Sequence, residues 1–238
     1  MKELNVGIVV FPGSNCDDDL VHILGNVCKI QVEKIWHKEH LLPELDAVFL
    51  PGGFSYGDYL RSGAIARYSN IMPAIEAFAD QGGLVWGICN GFQILCEAGL
   101  LPGALVVNKN QKYICENIFL KTITNQSAIS NTITPGSVLK IPIAHGDGRY
   151  YADDTTLKQL IEGDQIIFKY CNAHGHLSEE ANINGSLMNI AGISNARKNV
   201  FGMMPHPERA SQDILGNKDG LNMFQSMIHY LKEVSVSS

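Results

Sequence analysis

Apolar runs alternate with amphipathic segments over the first hundred residues of the chain. Runs of apolar residues at 4–10, 45–50 and 84–88 predict buried strands, because strands covered on both faces have nearly continuous apolar sequence. Apolar residues spaced three and four apart predict helices at about 16–26 and 71–81. This alternation predicts an α/β fold in which a mostly parallel central sheet carries helices on both faces.

The second half of the chain has shorter and more polar segments. They predict the strands of a small antiparallel section, at about 118–123, 138–144, 165–170, 187–193 and 200–203. The apolar stripe of segment 219–234 predicts a last helix, and the alternation in 29–35 predicts an edge strand. The sequence contains no repeat, low-complexity tract or evident linker, so we expect a single domain over residues 1–238.

The turns that follow the three buried strands should lie close together. Active sites of parallel α/β sheets lie at the carboxyl ends of the strands. The turns after Val10, Leu50 and Ile88 therefore belong to one edge of the sheet. This arrangement would bring Gly52 and Gly53 close to the residue that follows Ile88.

That residue is Cys89, and it lies in a sharp turn between a strand and a helix. Residues 87–93 read GICNGFQ, and glycines two positions before and after the cysteine form a nucleophile-elbow pattern, in which larger side chains would collide with backbone. The start of a helix also stabilises negative charge. A buried cysteine in an ordinary turn explains the same residues equally well, so this stretch alone leaves both interpretations open.

A nucleophilic cysteine needs a base, and His206 is the best-placed of the eight histidines. It follows a short predicted strand, where an extended backbone puts residues i and i+2 on one side. Glu208 would then lie beside His206, where a carboxylate can fix the imidazole tautomer and stabilise the imidazolium ion. The flanking residues Pro205 and Pro207 stiffen the segment.

Acyl transfer also needs hydrogen-bond donors for the developing oxyanion. One donor is normally the backbone N–H of the residue after the nucleophile, and the other comes from a neighbouring loop. Asn90 and Gly53 fit these two positions, Gly53 because no side chain blocks access to its amide. The segment 51–53 alone would be interpreted as a plain turn, and its combination with Cys89 and His206 favours a catalytic site.

Composition excludes several other classes of protein. A net charge of −6 argues against nucleic acid or an acidic membrane as a partner, and no apolar run approaches the length that crosses a bilayer. The six cysteines include no C-x-x-C pair, which argues against zinc and disulfide frameworks and predicts a reducing, cytoplasmic compartment. No G-x-x-x-x-G-K-[ST] loop is present, so we expect no nucleotide cofactor in this chain. We also expect no metal, because the cysteines and histidines lack metal-ligand spacing.

Three motifs, in this order and spacing, resemble class I glutamine amidotransferases of the Cys-His-Glu type. They are PGG at 51–53, GICNGFQ at 87–93 and HPE at 206–208. Within that family, FSYGDYLR at 54–61 and AHGDGRY at 144–150 are most similar to the glutaminase subunits of phosphoribosylformylglycinamidine synthases, which serve purine biosynthesis. The resemblance covers nearly the whole chain.

Two departures from the family pattern stand beside this resemblance. The group often has glutamate where Asp147 stands, and the stretches 123–138 and 174–186 show no clear match. The resemblance nevertheless implies a flavodoxin-like fold and a defined chemistry. Cys89 would attack the side-chain amide carbon of glutamine, while His206 transfers protons and Glu208 orients the imidazole.

The later steps and the substrate contacts follow from the same resemblance. Ammonia would leave, and water would hydrolyse the γ-glutamyl thioester to glutamate. Glutamine is expected to contact Gly52, Gln93 and His145, although Gln93 could also be ordinary helix surface. Ammonia would pass to a separate synthetase subunit that uses ATP and Mg²⁺ to convert formylglycinamide ribonucleotide to the amidine. A small third subunit usually bridges the two.

Three alternatives remain at the level of the sequence. One is the glutaminase subunit of another class I amidotransferase, for example one that serves pyridoxal phosphate synthesis; the segments 54–61 and 145–149 argue against it. Another is a cysteine hydrolase of related fold, against which the pair of His206 and Glu208 argues. The third is a catalytically silent scaffold, which an intact triad disfavours.

Overall fold

The structure is a computed structural model that describes residues 3–237. Eleven strands are present among these residues: β1 Asn5–Val10, β2 Gln31–Trp36, β3 Ala47–Leu50, β4 Leu84–Ile88, β5 Ala104–Val106, β6 Ile114–Thr122, β7 Val138–His145, β8 Arg149–Tyr151, β9 Ile166–Cys171, β10 Ile190–Ser194 and β11 Val200–Met203. The α-helices of the same residues are α1 Asp17–Val21, α2 Met72–Asp80, α3 Asn90–Glu97, α4 Asp154–Glu162 and α5 Leu221–Ser237. Residues 1, 2 and 238 of the expected single domain lie outside this description.

Nine of the strands form one sheet in the order β2-β1-β3-β4-β11-β10-β9-β6-β7. The five strands from β2 to β11 in this order are parallel to one another. β2 lies at the edge of the sheet, as its alternating sequence predicts, whereas every residue of β3 and β4 is buried. The predicted mostly parallel sheet with buried central strands is confirmed.

The predicted antiparallel section continues the same sheet. β10, β9, β6 and β7 are joined by antiparallel pairings, and β10 also pairs antiparallel with β11. A separate two-stranded antiparallel sheet consists of β5 and β8. β11 therefore connects the two halves, because it is parallel to β4 on one side and antiparallel to β10 on the other.

Several elements differ from the sequence-based expectation, among them β5 and β8, which were not predicted. The helix α4 was not predicted; Asp153 caps it by accepting a hydrogen bond from the Thr156 N–H at 2.7 Å. The strand predicted at 187–193 begins only at Ile190, because Met188 and Asn189 have left-handed backbone conformations that no strand contains. The predicted helix 16–26 is α-helical only to Val21 and continues as a π-helical segment.

The parallel strands are held by a buried aromatic cluster. The Trp86 ring centroid lies 5.5 Å from that of Phe49 and 5.2 Å from that of Phe224, so α5 packs against β3 and β4. All three side chains are fully buried. This packing supports the strand ends from which the candidate site is built.

In the described part of the chain, no helix has the length and apolar character that spanning a bilayer requires.

Candidate active site

Four loops meet at the carboxyl edge of the parallel strands. They follow β1, β3, β4 and β11, and they carry Cys16, Gly52, Cys89 and His206 respectively. A side chain on Gly52 would lie 2.6 Å from His206 Cε1, 3.0 Å from Cys16 Sγ and 3.4 Å from Cys89 Cβ. The three side chains therefore surround one glycine, at the edge where the strand pattern predicts a site.

Cys89 occupies a strained turn between β4 and α3. Its backbone has φ 53° and ψ −106°, which is unusual for a residue with a side chain. A side chain on Gly91 would overlap the Leu50 carbonyl oxygen, and one on Gly87 would lie 2.6 Å from Leu95 Cδ1. The Cys89 N–H donates to Met203 O at 2.8 Å, which ties the turn to β11. The predicted nucleophile elbow is present in the backbone.

His206 and Glu208 form a buried pair. His206 Nδ1 lies 2.5 Å from Glu208 Oε1, and each residue is only 2% exposed. The expectation of an extended backbone here was wrong, because Glu208 lies in a 3₁₀ turn, Pro207–Arg209, that brings it back to the imidazole. His206 N–H donates to Pro142 O at 2.8 Å, so the antiparallel part of the sheet also holds this turn.

The charges around His206 favour its protonated form. Burial alone would lower the pKa of His206, but the charges of Glu208 and Cys89 and the nearness of the Cys16 and Cys89 sulfurs raise it well above its usual value. Its Nε2 atom is buried and has no hydrogen-bond partner among the described residues. With Nδ1 held by Glu208, Nε2 is left to exchange a proton with a thiol or a leaving group.

Gly53 and Asn90 present backbone N–H groups at this edge. Gly53 has φ 146° and pairs with Ser14 in an isolated antiparallel bridge, whose hydrogen bonds come from the N–H groups of Asn15 and Phe54. In this pattern the Gly53 N–H points away from Ser14. Asn90 begins α3, where the first N–H groups have no acceptor within the helix. Both groups fit oxyanion donors, and these roles stay a prediction.

A cavity of about 130 Å³ opens beside Cys89. It lies between the loops after β3 and β7 and the start of α3. Its walls are formed by Gly53, Phe54, Asp58, Ser62, Cys89, Gln93, Tyr113, Ala144, His145, Gly146 and Asp147. A smaller adjoining cavity is lined by Asn15, Cys16, Gly53, Phe54, Cys89, Tyr113, Ala144, His206 and Arg209. The nucleophile candidate thus faces both spaces.

His145 is a neutral acceptor in the larger cavity. Burial, followed by the positive charge of His206, lowers the pKa of His145 to about 4. Asn108 uses its side-chain NH₂ to donate to the carbonyls of Lys112 and His145, at 2.8 and 2.9 Å. Its Oδ1 therefore accepts from His145 Nδ1 at 3.1 Å, which leaves the unpartnered Nε2 of His145 as an acceptor.

Gln93 and Asn90 hold the neighbouring loops together through their side chains. Gln93 Nε2 donates to Asp147 O at 2.6 Å, and its Oε1 accepts from Asn90 Nδ2 at 2.9 Å. Asn90 Oδ1 in turn accepts from the Ser55 N–H at 3.1 Å. Gln93 faces the cavity with both amide atoms already bonded, so it orders the wall. Its direct contact with substrate stays a prediction.

A further tie joins the loop after β3 to the loop after β7. Ser62 Oγ donates to Asp147 Oδ2 at 2.9 Å. Burial, with a smaller contribution from the charge of Asp147, raises the pKa of Asp58 in the same wall. Ser62, which directly follows the 54–61 segment, therefore joins this loop to the 144–150 segment across the cavity.

Sequence reasoning missed Cys16 and Arg209. Arg209 Nη2 donates to Cys16 Sγ at 3.0 Å, although 193 positions separate the two residues. Cys16 Sγ, a ring nitrogen of His206 and a carboxylate oxygen of Glu208 lie within 4.8 Å of one another, as metal ligands can. The adjacent guanidinium charge opposes a cation there. The position of Cys16 after β1, at the predicted active edge, was the one signal that could have identified it.

The chain is similar to a known protein family and to individual relatives along nearly its whole length. Residues 3–231 match the CobB/CobQ-like glutamine amidotransferase domain. The chain is 52% identical over 225 residues to phosphoribosylformylglycinamidine synthase subunit PurQ of Koribacter versatilis, covering 94% of this chain and 97% of that protein. It is 52% identical over 227 residues to the subunit of the same name from Moorella thermoacetica, covering 95% and 96%.

Solved structures give a consistent comparison. A chain in the structure of PurLQS from Thermotoga maritima matches with a TM-score of 0.85 at 40% identity, covering 97% of this chain and 100% of that one. A glutamine amidotransferase from Thermotoga maritima matches with a TM-score of 0.58 at 15% identity, covering 99% of this chain and 87% of that one. At that identity the second likeness shows the fold alone.

Proposed function

We propose a catalytic triad of Cys89, His206 and Glu208, on the premise that this chain belongs to the CobB/CobQ-like glutamine amidotransferase family. The observation that supports the triad best is the buried 2.5 Å contact of His206 with Glu208 in the loop next to the strained Cys89 turn. The chain is the glutaminase subunit of phosphoribosylformylglycinamidine synthase. It acts in purine biosynthesis, and we infer that the chain forms one amidotransferase domain.

The first step joins the enzyme to glutamine. Cys89 Sγ attacks the side-chain amide carbon, and the carbonyl π electrons move to oxygen, which becomes an oxyanion. The N–H groups of Gly53 and Asn90 donate to this oxyanion, and fixed donors of this kind stabilise the transition state without reorganising. His206 receives the thiol proton, and Glu208 stabilises the resulting imidazolium ion.

The second half of the cycle releases both products. The tetrahedral intermediate collapses, the carbon–nitrogen bond breaks, and His206 Nε2 gives its proton to the departing ammonia. Water, activated by the same nitrogen, then attacks the γ-glutamyl thioester and releases glutamate and the Cys89 thiol. The balance is one glutamine and one water converted to one glutamate and one ammonia.

Glutamine is held by the larger cavity in this proposal. Gly52 leaves space beside Cys89 and His206, which a side chain would fill. The acceptor Nε2 of His145 can receive a hydrogen bond from an ammonium or amide group of the substrate. Gln93 keeps the Asp147 loop in place, so that the wall opposite Cys89 is ordered.

The site at which ammonia is used lies in another subunit in this proposal. The likeness to a chain of PurLQS from Thermotoga maritima supports assembly with a synthetase subunit and a small bridging subunit. In our proposal the synthetase uses ATP and Mg²⁺, and this chain needs no cofactor of its own. Tyr59 and Leu60, in the loop beside the cavity, are 74% and 92% exposed, and they suit contact with a partner.

All six cysteines are free, which supports a reducing, cytoplasmic location.

The replacement Cys89→Ala in the assembled complex tests this proposal. Glutamine-dependent synthesis of the amidine should be lost, while synthesis from added ammonia should continue, because the ammonia site lies in the partner. Cys115→Ala, an exposed cysteine outside both cavities, is the matched control and should retain both activities. Glutamine-dependent synthesis that persisted in Cys89→Ala would show that Cys89 is not the nucleophile.

A further inference from the structure

Arg209 connects the turn of the proposed triad to the other end of the chain. Its backbone N–H donates to His206 O at 3.2 Å, and it directly follows Glu208. Its side chain crosses to the start of α1, where Nη2 donates to Cys16 Sγ at 3.0 Å and Nε donates to Asp19 Oδ2 at 3.1 Å. A planar guanidinium can bond two acceptors at once in a fixed geometry.

We propose that the hydrogen bond between Arg209 and Cys16, called here the Arg209–Cys16 bridge, positions His206 and Glu208 for reaction with Cys89. This inference rests on the proposed glutaminase function. Both partners of the bridge are positioning residues, because they act through the imidazole and the carboxylate. Neither lines the larger cavity that is proposed to hold glutamine.

Cys16 links Arg209 to the loop that carries Gly52. It is buried, and its Sγ donates to Asn15 Oδ1 at 3.1 Å while accepting from Arg209. Its backbone N–H donates to the carbonyl of Gly52 at 3.3 Å. Gly52 is the residue that His206, Cys16 and Cys89 surround. A shift of the bridge would therefore move Gly52, against which the imidazole of His206 and the side chain of Cys89 pack.

The charge of Arg209 also compensates a buried carboxylate. Glu208 Oε2 is buried and has no hydrogen-bond partner among the described residues. Burial would lower the pKa of Arg209, but the adjacent Cys16 sulfur, the charges of Glu208 and Asp19 and the Asp19 hydrogen bond raise it, so the side chain stays cationic. A buried charge that loses its compensation is strongly unfavourable. Removing Arg209 would leave Glu208 free to turn away from His206.

Variants of both partners in the assembled complex test the bridge. Arg209→Met should lower the glutaminase kcat by about 10- to 100-fold, because displacements of about 1 Å can cost that much. KM for glutamine should change less than about twofold, since ground-state binding does not use the bridge. Arg209→Lys should recover only part of kcat, because one ammonium cannot reproduce the two-acceptor geometry.

The sulfur side of the bridge provides the sharper comparison. Cys16→Ala removes the acceptor and should lower kcat with KM unchanged, whereas Cys16→Ser keeps an acceptor and should restore most of the activity. The rate of Cys89 alkylation by iodoacetamide should fall in Arg209→Met and Cys16→Ala and recover in Cys16→Ser. Arg197→Met is the matched control, because Arg197 makes a similar surface contact with Asp80 away from the site.

Each outcome decides between defined conclusions. If Cys16→Ala and Cys16→Ser have equal activity, or if the whole loss is in KM, the bridge does not position the triad. If Arg209→Met fails to fold, the comparison of Cys16→Ala with Cys16→Ser alone decides whether the bridge positions the triad. A wild-type complex without glutaminase activity would contradict the proposed function, whereas an active wild type with unaffected Arg209 and Cys16 variants would overturn only the bridge.

Discussion

Replacing Glu208 with glutamine is the most direct test of how the buried pair works. The change keeps the size of the side chain and removes the negative charge that lies 2.5 Å from His206 Nδ1. An amide nitrogen at that position would donate to Nδ1 and leave the imidazole proton on Nε2. The neutral imidazole would then carry its proton toward Cys89, in the tautomer that cannot accept one.

The size of the effect follows from two contributions. A buried hydrogen bond to a charged group contributes about 1.5–3 kcal/mol, and about 1.4 kcal/mol corresponds to a factor of ten, so losing it costs roughly 10- to 150-fold. The wrong tautomer adds to this, and carboxylate-to-amide changes in Ser-His-Asp triads lower kcat by about 10⁴. For Glu208→Gln we therefore expect a kcat between about 10² and 10⁴ below that of the wild type.

The same change should alter the dependence of stability on pH. The pKa of folded His206 is raised, so this group contributes stability that is fully present below its unfolded pKa of about 6.5 and is lost as pH rises through the folded pKa. Without the charge of Glu208, burial dominates and the pKa of His206 falls. The difference in unfolding free energy between wild type and Glu208→Gln should therefore be largest in acid and shrink as pH rises.

The assay is glutamine hydrolysis by the assembled complex, with kcat and KM determined separately, and urea unfolding at several pH values. Glu208→Asp, in which the carboxylate is drawn back by one methylene, should have intermediate kcat. Glu179→Gln is the matched control, because Glu179 pairs with Lys109 on the surface, where such pairs contribute little. If Glu208→Gln retained more than half of the wild-type kcat, the assigned role of the carboxylate would be refuted.

Two further predictions concern the turn at Cys89 and the buried His145. Gly91→Ala should destabilise the fold by about 1–3 kcal/mol because its methyl group would overlap the Leu50 carbonyl; Gly25→Ala, with only ordinary contacts, is the control, and equal unfolding midpoints would contradict the steric argument. Because the pKa of His145 is lowered to about 4, the unfolded state binds the proton first as pH falls, and stability should drop by about 3 kcal/mol between about pH 7 and pH 4. In His145→Gln, the unfolding free energy measured with urea should fall less between pH 7 and pH 4. An unchanged dependence of stability on pH would exclude His145 as its source.

Features of local origin could be predicted from the sequence. Apolar runs identified the buried strands, since a strand covered on both faces has no polar side to offer. The glycines around Cys89 identified the elbow because the close approach of α3 to the Leu50 backbone leaves no room for a side chain. The nearness of Glu208 to His206 was also predicted, although a 3₁₀ turn rather than an extended strand produces it.

Features that depend on contacts between distant segments were decided only by the tertiary structure. The sequence predicted an antiparallel section but not that β11 would join it to the parallel strands, because strand order depends on packing between distant segments. The amide side chain of Gln93 binds Asp147, 54 positions away, and Arg209 binds Cys16, 193 positions away. No local pattern encodes such pairs. Sequence alone thus determined which residues could react, and the folded sheet decided which neighbours hold them in place.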